Sequence, residues 1–291
     1  MSQISTKIRV QFKAGDDIRD AGLTTPENIL RYDDIIYGPD FRWQRLDVYR
    51  PAEAAGQILP VIVSVHGGGW VYGDKERYQY FCMNLAQRGF AVVNFTYRLA
   101  PEYKFPAALE DTNAVFHWVL SNSTAYGFDA EKVFATGDSA GAHILGLFTA
   151  LCTDSAYAAS FDFEPPVDFV PRAIGLCCGA YQPGNGGQEG DLLAEFLPSG
   201  GTKEELDQIN VLHYVNEKFP PVFLMTSSAD FLREEADPLK NALAHYNVPF
   251  MYRFYSDKNT DLGHVFHLNI REKNAICSND EMCRFFREEM G

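Results

Sequence analysis

No apolar run in the 291-residue chain approaches the ~18 residues of a membrane-spanning helix, so no transmembrane segment is expected. Residues 1–10 hold no apolar core of roughly 7–15 residues, so no secretory leader is expected either. Basic residues are in short supply: Lys+Arg 25 against Asp+Glu 39, a formal net charge of −14. Such a surface repels nucleic acid and anionic membranes and points instead to neutral or cationic small molecules. The six cysteines (82, 152, 177, 178, 277 and 283) form no Cys-x-x-Cys, and no His-Glu-x-x-His occurs, so a metal site is not expected. The thiols read as reduced and mostly buried, as in a cytoplasmic protein. Repeats, low-complexity tracts and Pro-rich linkers are absent as well.

What is present is a globular composition, 46% hydrophobic and 14% aromatic, which excludes disorder. Strand-like runs are expected near 31–37, 45–50, 60–65, 90–97, 132–136, 172–178, 221–226 and 250–255. From residue 60 onward these runs are mostly continuous and apolar, which suits a parallel sheet buried on both faces. The first two alternate more and read as antiparallel edge strands. Helical patterns lie near 76–88, 106–120, 139–152, 233–246 and 278–289. This alternation argues for a doubly wound α/β sheet with right-handed crossovers, a single domain over 1–291. Two segments break the alternation, 1–30 and 181–216. They are expected to form cap elements.

Gly137-Asp138-Ser139-Ala140-Gly141 follows the apolar run 132–136 and opens a small-residue helical pattern. Strand, Gly-x-Ser-x-Gly and helix describe a nucleophile elbow, whose glycines are needed where a Cβ would strike strand or helix. Chance alone yields on the order of 0.08 such matches at this composition. A second motif, His66-Gly67-Gly68-Gly69-Trp70, follows the apolar run 61–65. Its chance frequency is on the order of 0.003. It stands upstream of the serine, where a hydrolase carries the other part of its oxyanion hole.

A serine needs a base, and the base needs an orienting acid. In this type of fold both follow the nucleophile. Asp230 sits just past the strand-like run 221–226 and is favoured over Asp237, Asp257 and Asp261. Among seven histidines, His264 and His267 follow the run 250–255, and His264 lies nearer its end. His267 reads as a satisfied polar residue at the start of the next helix, and His143 as a residue pointing into packing one turn beyond Ser139. The expected roles are Ser139 as nucleophile, His264 as base and Asp230 as its partner. Backbone amides of Gly67, Gly68 and Ala140 are the expected oxyanion donors. Trp70 and Tyr72 are expected to line the substrate pocket.

Three segments carry a family resemblance over about 60–290: His66–Trp70, Tyr97-Arg-Leu-Ala-Pro-Glu102 with Phe105-Pro-Ala107, and Gly137–Gly141. Together they resemble the hormone-sensitive-lipase-like branch of the α/β-hydrolases, the bacterial acetyl-esterase and carboxylesterase group. That family's acid motif is similar to Asp230-Phe-Leu-Arg-Glu-Glu235. Its base usually sits in His-Gly-Phe, whereas this chain reads His264-Val265-Phe266. The resemblance implies an α/β-hydrolase fold: a mostly parallel sheet of about eight strands, helices on both faces and a small cap. It also implies that the Tyr97–Glu102 segment packs beside the active site. The implied activity is cofactor-free hydrolysis of small, short-chain (acetyl to butyryl) esters through an acyl-serine. Ala142-His143 looks more like kynurenine formamidases, so an amide-cleaving alternative stands beside the esterase. A non-catalytic ligand-binding hydrolase fold is the third reading, disfavoured because all three triad residue types are present. An exposed cap or edge strand would support a homodimer.

Overall fold

A computed structural model describes residues 3–184 and 190–290. Residues 185–189 of the expected 181–216 cap element lie outside the described residues. The strands are β1 (Ile29–Ile36), β2 (Arg45–Pro51), β3 (Leu59–Val65), β4 (Ala91–Phe95), β5 (Phe128–Asp138), β6 (Ile174–Cys177), β7 (Val222–Ser227) and β8 (Phe250–Tyr255). The helices are α1 (Gln3–Asp20), α2 (Lys75–Ala86), α3 (Ala107–Ser121), α4 (Ser123–Tyr126), α5 (Ala140–Thr153), α6 (Ser155–Ala158), α7 (Gly190–Phe196), α8 (Lys203–Gln208), α9 (Ala236–His245) and α10 (Lys273–Glu288).

The strands form one sheet in the order β1-β2-β4-β3-β5-β6-β7-β8. Pairing is antiparallel from β1 to β2 and from β2 to β4, and parallel across the rest. All eight expected strands are present. One expectation is corrected: β2 is no edge, since β1 and β4 flank it. Its polar residues suggested a solvated face, but they are buried and paired. Asp47 meets Lys75 Nζ at 2.9 Å and accepts from the Tyr49 hydroxyl at 2.8 Å. Arg50 donates to the carbonyl of Ala54 at 3.2 Å.

Apolar residues pack on both faces of the sheet. One layer joins α3, α5 and α9 to it, the other α2 and α10. Thirteen of the 14 residues of α5 are buried, so this helix is apolar all round and sits at the centre. The opposite case is α1, a full 18-residue helix where the sequence showed weak helical character. Its ties are largely polar. Arg9 donates to the carbonyls of Val71 at 2.7 Å and Ala100 at 2.9 Å and pairs with Glu102 at 2.6 Å. Arg19 donates to the carbonyl of Arg77 at 2.7 Å. Tertiary anchoring, rather than an apolar stripe, holds this helix in place.

Candidate active site

Ser139 lies between β5 and α5 with φ 51° and ψ −120°, a sparsely populated conformation that surrounding structure must enforce. A Cβ on Gly137 would stand 2.6 Å from the Gly141 carbonyl oxygen, and one on Gly141 2.5 Å from that of His66. The glycines of the elbow therefore answer to space, as the motif requires. Ala140 is the first residue of α5, where a backbone amide has no partner within the helix and the helix dipole adds positive potential.

The loops after β7 and β8 run side by side beyond the sheet. A parallel bridge joins Ala229 to Gly263, the Ala229 amide donates to the Leu262 carbonyl at 3.0 Å, and Ser227 Oγ donates to the same carbonyl at 2.8 Å. This stitching brings Asp230 and His264 together across 34 residues of sequence. His264 Nδ1 lies 2.7 Å from Asp230 Oδ1, and His264 Nε2 lies 2.9 Å from Ser139 Oγ. Asp230 also accepts from Thr226 Oγ1 at 2.7 Å and from the Leu232 amide at 2.9 Å. Burial pushes its carboxyl up, but His264 and these donors outweigh burial and hold it below the ordinary value. The exposed Phe231 ring leans over His264 with centroids 4.2 Å apart.

Glu235, the last residue of the Asp230 motif, accepts from the amides of Tyr181 at 3.0 Å and Gln182 at 2.8 Å. It thereby ties the start of the insertion to the acid loop. The rival acids lie elsewhere: Asp237 pairs with Lys240 on the surface, and Asp257 binds the Asn259 amide and Asn274. His267 departs from its expected setting. It sits in a 3-10 turn ahead of α10, against the edge of Phe81, with Nδ1 unpartnered. Burial, reinforced by neighbouring positive charge, drives its pKa down to about 3.

The glycine loop corrects one expected donor. The Gly67 amide donates to the Tyr78 hydroxyl at 2.9 Å, so it is already engaged. A Cβ at Gly67 would stand 2.5 Å from Asp138 Oδ2, which fixes glycine there for space rather than for oxyanion binding. The next two residues, Gly68 (φ 119°) and Gly69 (φ 60°), turn the chain through conformations that side chains disfavour. Both belong to the cavity wall around Ser139. Gly69 was not singled out by sequence reasoning, although its place in the Gly-Gly-Gly run was the available signal. The Tyr97–Glu102 segment supports this loop. Tyr97 stacks on His66 at 3.9 Å and donates to its carbonyl at 2.8 Å, and the Ala100 amide donates to Trp70 O at 3.0 Å.

A cavity of about 340 Å³ opens over Ser139. Trp70 and Tyr72 both line it, with Phe12, Leu192, Phe231 and Leu268. Trp70 is held rigidly: its Nε1–H donates to His143 Nδ1 at 3.0 Å, and its ring stacks on Phe196 at 4.9 Å. His143 Nε2 in turn donates to the Ile209 carbonyl at 2.8 Å, and burial lowers its pKa to about 4, so the ring is neutral as this pattern requires. Tyr72 donates to Asp16 Oδ2 on α1 at 2.7 Å. Residues of α1 therefore form one wall of the cavity, within the 1–30 segment that breaks the alternation of strands and helices. Among the described residues, Cys178, Asp230 and His264 bring three metal-type donor atoms within 4.8 Å of one another. Burial, then the Asp230 charge, raises the Cys178 thiol far above its ordinary value, and Asp230 and His264 are hydrogen-bonded to each other.

This sheet order, with a strained serine between β5 and α5 and helices on both faces, defines an α/β-hydrolase. The chain belongs to the BD-FAE family, whose model matches residues 46–237. It is similar to esterase LipQ of Mycobacterium tuberculosis, 28% identical over 206 residues that cover 68% of this chain and 48% of that protein. The chain thus spans about half the length of the curated relatives it matches first. Among solved structures, esterase B from Lactobacillus rhamnosis superposes with a TM-score of 0.89 at 26% identity, covering 99% of this chain and 97% of that one. An esterase of the bacterial hormone-sensitive lipase family shares the fold at 19% identity, with a TM-score of 0.79 over 100% of this chain and 93% of that one. The α/β-hydrolase fold expected from the motifs is met, and these relatives are esterases. Among the described residues, no helix is long and apolar enough to cross a membrane.

Proposed function

We propose that the chain is a serine carboxylesterase acting on short-chain esters through an acyl-enzyme. The observation that carries this reading is the relay from Ser139 Oγ to His264 Nε2 (2.9 Å) and from His264 Nδ1 to Asp230 Oδ1 (2.7 Å). His264 Nε2 takes the hydroxyl proton as Ser139 Oγ attacks the ester carbonyl. Asp230 holds the ring with Nδ1 protonated and stabilises the imidazolium that forms. The amides of Gly68, Gly69 and Ala140 receive the oxyanion, each such donor being worth about 10²–10³ in rate. His264 then returns its proton to the leaving alcohol as the C–O bond breaks. Water, deprotonated by His264, hydrolyses the acyl-Ser139 and restores the serine. These steps need no cofactor.

The cavity of about 340 Å³ supports small substrates. Esterase B has also been solved inhibited by a C4-C4 tributyrin phosphonate, which supports acyl groups of about that size here. We read α1 and the 190–208 segment as a cap on one hydrolase domain, since Phe12, Asp16, Arg19 and Leu192 line the cavity. Six unpaired thiols support a reducing, cytoplasmic setting. His143, which carried the resemblance to formamidases, holds Trp70 and Ile209 and offers amide cleavage no group of its own.

The test is a p-nitrophenyl ester series from acetate to octanoate, run beside N-formylkynurenine, on wild type and Ser139→Ala. Wild type should turn over the acetate and butyrate esters faster than the hexanoate and octanoate esters, and Ser139→Ala should lose on the order of 10⁶ in kcat. Near-normal activity in Ser139→Ala would remove the assignment. Preferential turnover of N-formylkynurenine would replace the ester reading with the amide one.

A further inference from the structure

Val265 occupies a backbone position that its side chain disfavours. Its φ is 52° and ψ 32°, the left-handed region, where glycine is at ease and a β-branched residue is an outlier. The position is held from several sides. The Leu268 amide donates to its carbonyl at 3.1 Å, its backbone lies against the Cys178 sulfur, and the preceding residue is His264 with both ring nitrogens engaged. A glycine would meet each of these backbone requirements without strain. What glycine would lack is the isopropyl group, and Val265 lines the Ser139 cavity together with Leu268 and Tyr78. Strained residues of this kind gather where a site depends on them.

We propose that Val265 is a specificity-determining residue: its side chain fills the cavity wall beside His264 and limits the length of the substrate chain that lies along it. The inference rests on the esterase reading and names its substrate class more closely, compact esters with an acyl or alkyl chain of about four carbons or fewer. Its physical basis is steric. Val265 packs on one side against the core layer of α2 and α10. In a cavity of about 340 Å³, the three side-chain carbons it adds at the wall would take the place of two or three substrate methylenes. One methylene in an apolar pocket discriminates by about 10–200-fold.

The test compares wild type with Val265→Ala and Val265→Gly. Two series are measured: p-nitrophenyl acetate, butyrate, hexanoate and octanoate for the acyl side, and ethyl, butyl and hexyl acetate for the alcohol side. In one of the two series the long-to-short ratio of kcat/KM should rise about tenfold in Val265→Ala and further in Val265→Gly. A purely structural role would lower all rates together and leave both ratios alone. Ratios within twofold of wild type in both series overturn the inference. Val265→Ala keeps a Cβ in the left-handed region and removes the two methyl groups, so it decides the matter if Val265→Gly folds poorly. Labelling rates with ethyl and hexyl fluorophosphonates give a readout independent of turnover. If wild type hydrolyses none of the esters, the esterase reading fails. In that event equal hexyl-to-ethyl labelling ratios in the three proteins overturn the Val265 inference, and a rising ratio upholds it.

Discussion

Tyr78 donates its hydroxyl proton to Asp138 across 2.8 Å and accepts the Gly67 amide across 2.9 Å. One buried hydroxyl thus joins the residue before Ser139 to the residue before Gly68. It sets the spacing between the Ser139 turn and the glycine loop. Tyr78→Phe would leave both the Gly67 amide and Asp138 short of a partner, at about 1–3 kcal/mol for each buried group. The expected outcome is a lower unfolding midpoint and a kcat reduced by about tenfold, with KM close to wild type. Asp138→Asn keeps an acceptor for Tyr78 and should retain most of that kcat. Wild-type kcat in Tyr78→Phe would show that the loop is held by other means.

Asp230 orients His264 through a single 2.7 Å contact and is itself held by Thr226 and Leu232. Asp230→Asn should preserve the fold but present a donor where His264 needs an acceptor. The rotated or retautomerised ring should lower kcat by about 10⁴. Initial rates together with circular dichroism check this. A loss below tenfold in a folded variant would show that His264 is oriented by something else.

Three buried histidines set the expected response to acid. Burial lowers His66 and His143 to about 4, and His267 to about 3, from an ordinary 6.5. The unfolded chain binds protons at these rings first as pH falls, so their stability contribution is present above about 6.5 and lost on the way down to 4. At 1.36 kcal/mol per pH unit, each is worth on the order of 3–5 kcal/mol. Asp138 acts in the opposite sense. Burial raises it from 3.8 to about 6, so its contribution is full below 3.8 and lost as pH rises through 6. Stability should therefore fall between pH 6.5 and 4, and Asp138→Asn should steepen that fall. Urea unfolding at pH 8, 6, 5 and 4 measures both. A midpoint that is flat over this range in wild type would contradict the neutral buried rings.

The bond from Trp70 to His143 fixes an aromatic wall of the cavity to the central helix α5. His143→Leu leaves the indole N–H of Trp70 without its partner, at about 1–3 kcal/mol of stability. Since His143 makes no contact with Ser139 Oγ, kcat should change less than threefold, with any loss in KM as Trp70 loosens. Tryptophan fluorescence and a KM comparison test this. A large drop in kcat alone would assign His143 to the chemistry instead.

Much of this architecture is written locally. The eight strands follow from apolar runs bounded by turn residues, and the elbow from glycines that leave no room for a Cβ at 137 and 141. The meeting of Asp230 with His264 was legible because chain order and strand ends restrict which aspartate and histidine can stand beside Ser139. The polar stretch 3–20 was less legible, since α1 is fastened by Arg9 and Arg19 to carbonyls some 58 to 91 residues away. β2 misled for a related reason: Asp47 and Arg50 look solvated in sequence, and only their buried partners allow them to lie inside.

The sequence by itself determined the class of chain: a buried parallel sheet, a serine on a tight turn, a glycine loop upstream, and an aspartate and a histidine downstream. Residue type and spacing suffice there, because the constraints act within a few residues. Only the tertiary structure decided which amide of the glycine loop is already engaged, that α1 walls the cavity, and that Val265 rather than glycine stands beside His264 in a left-handed turn. Those outcomes depend on partners distant in the chain. A hydroxyl from α2 takes the Gly67 amide, and a cavity wall is completed by helices that no local pattern brings together.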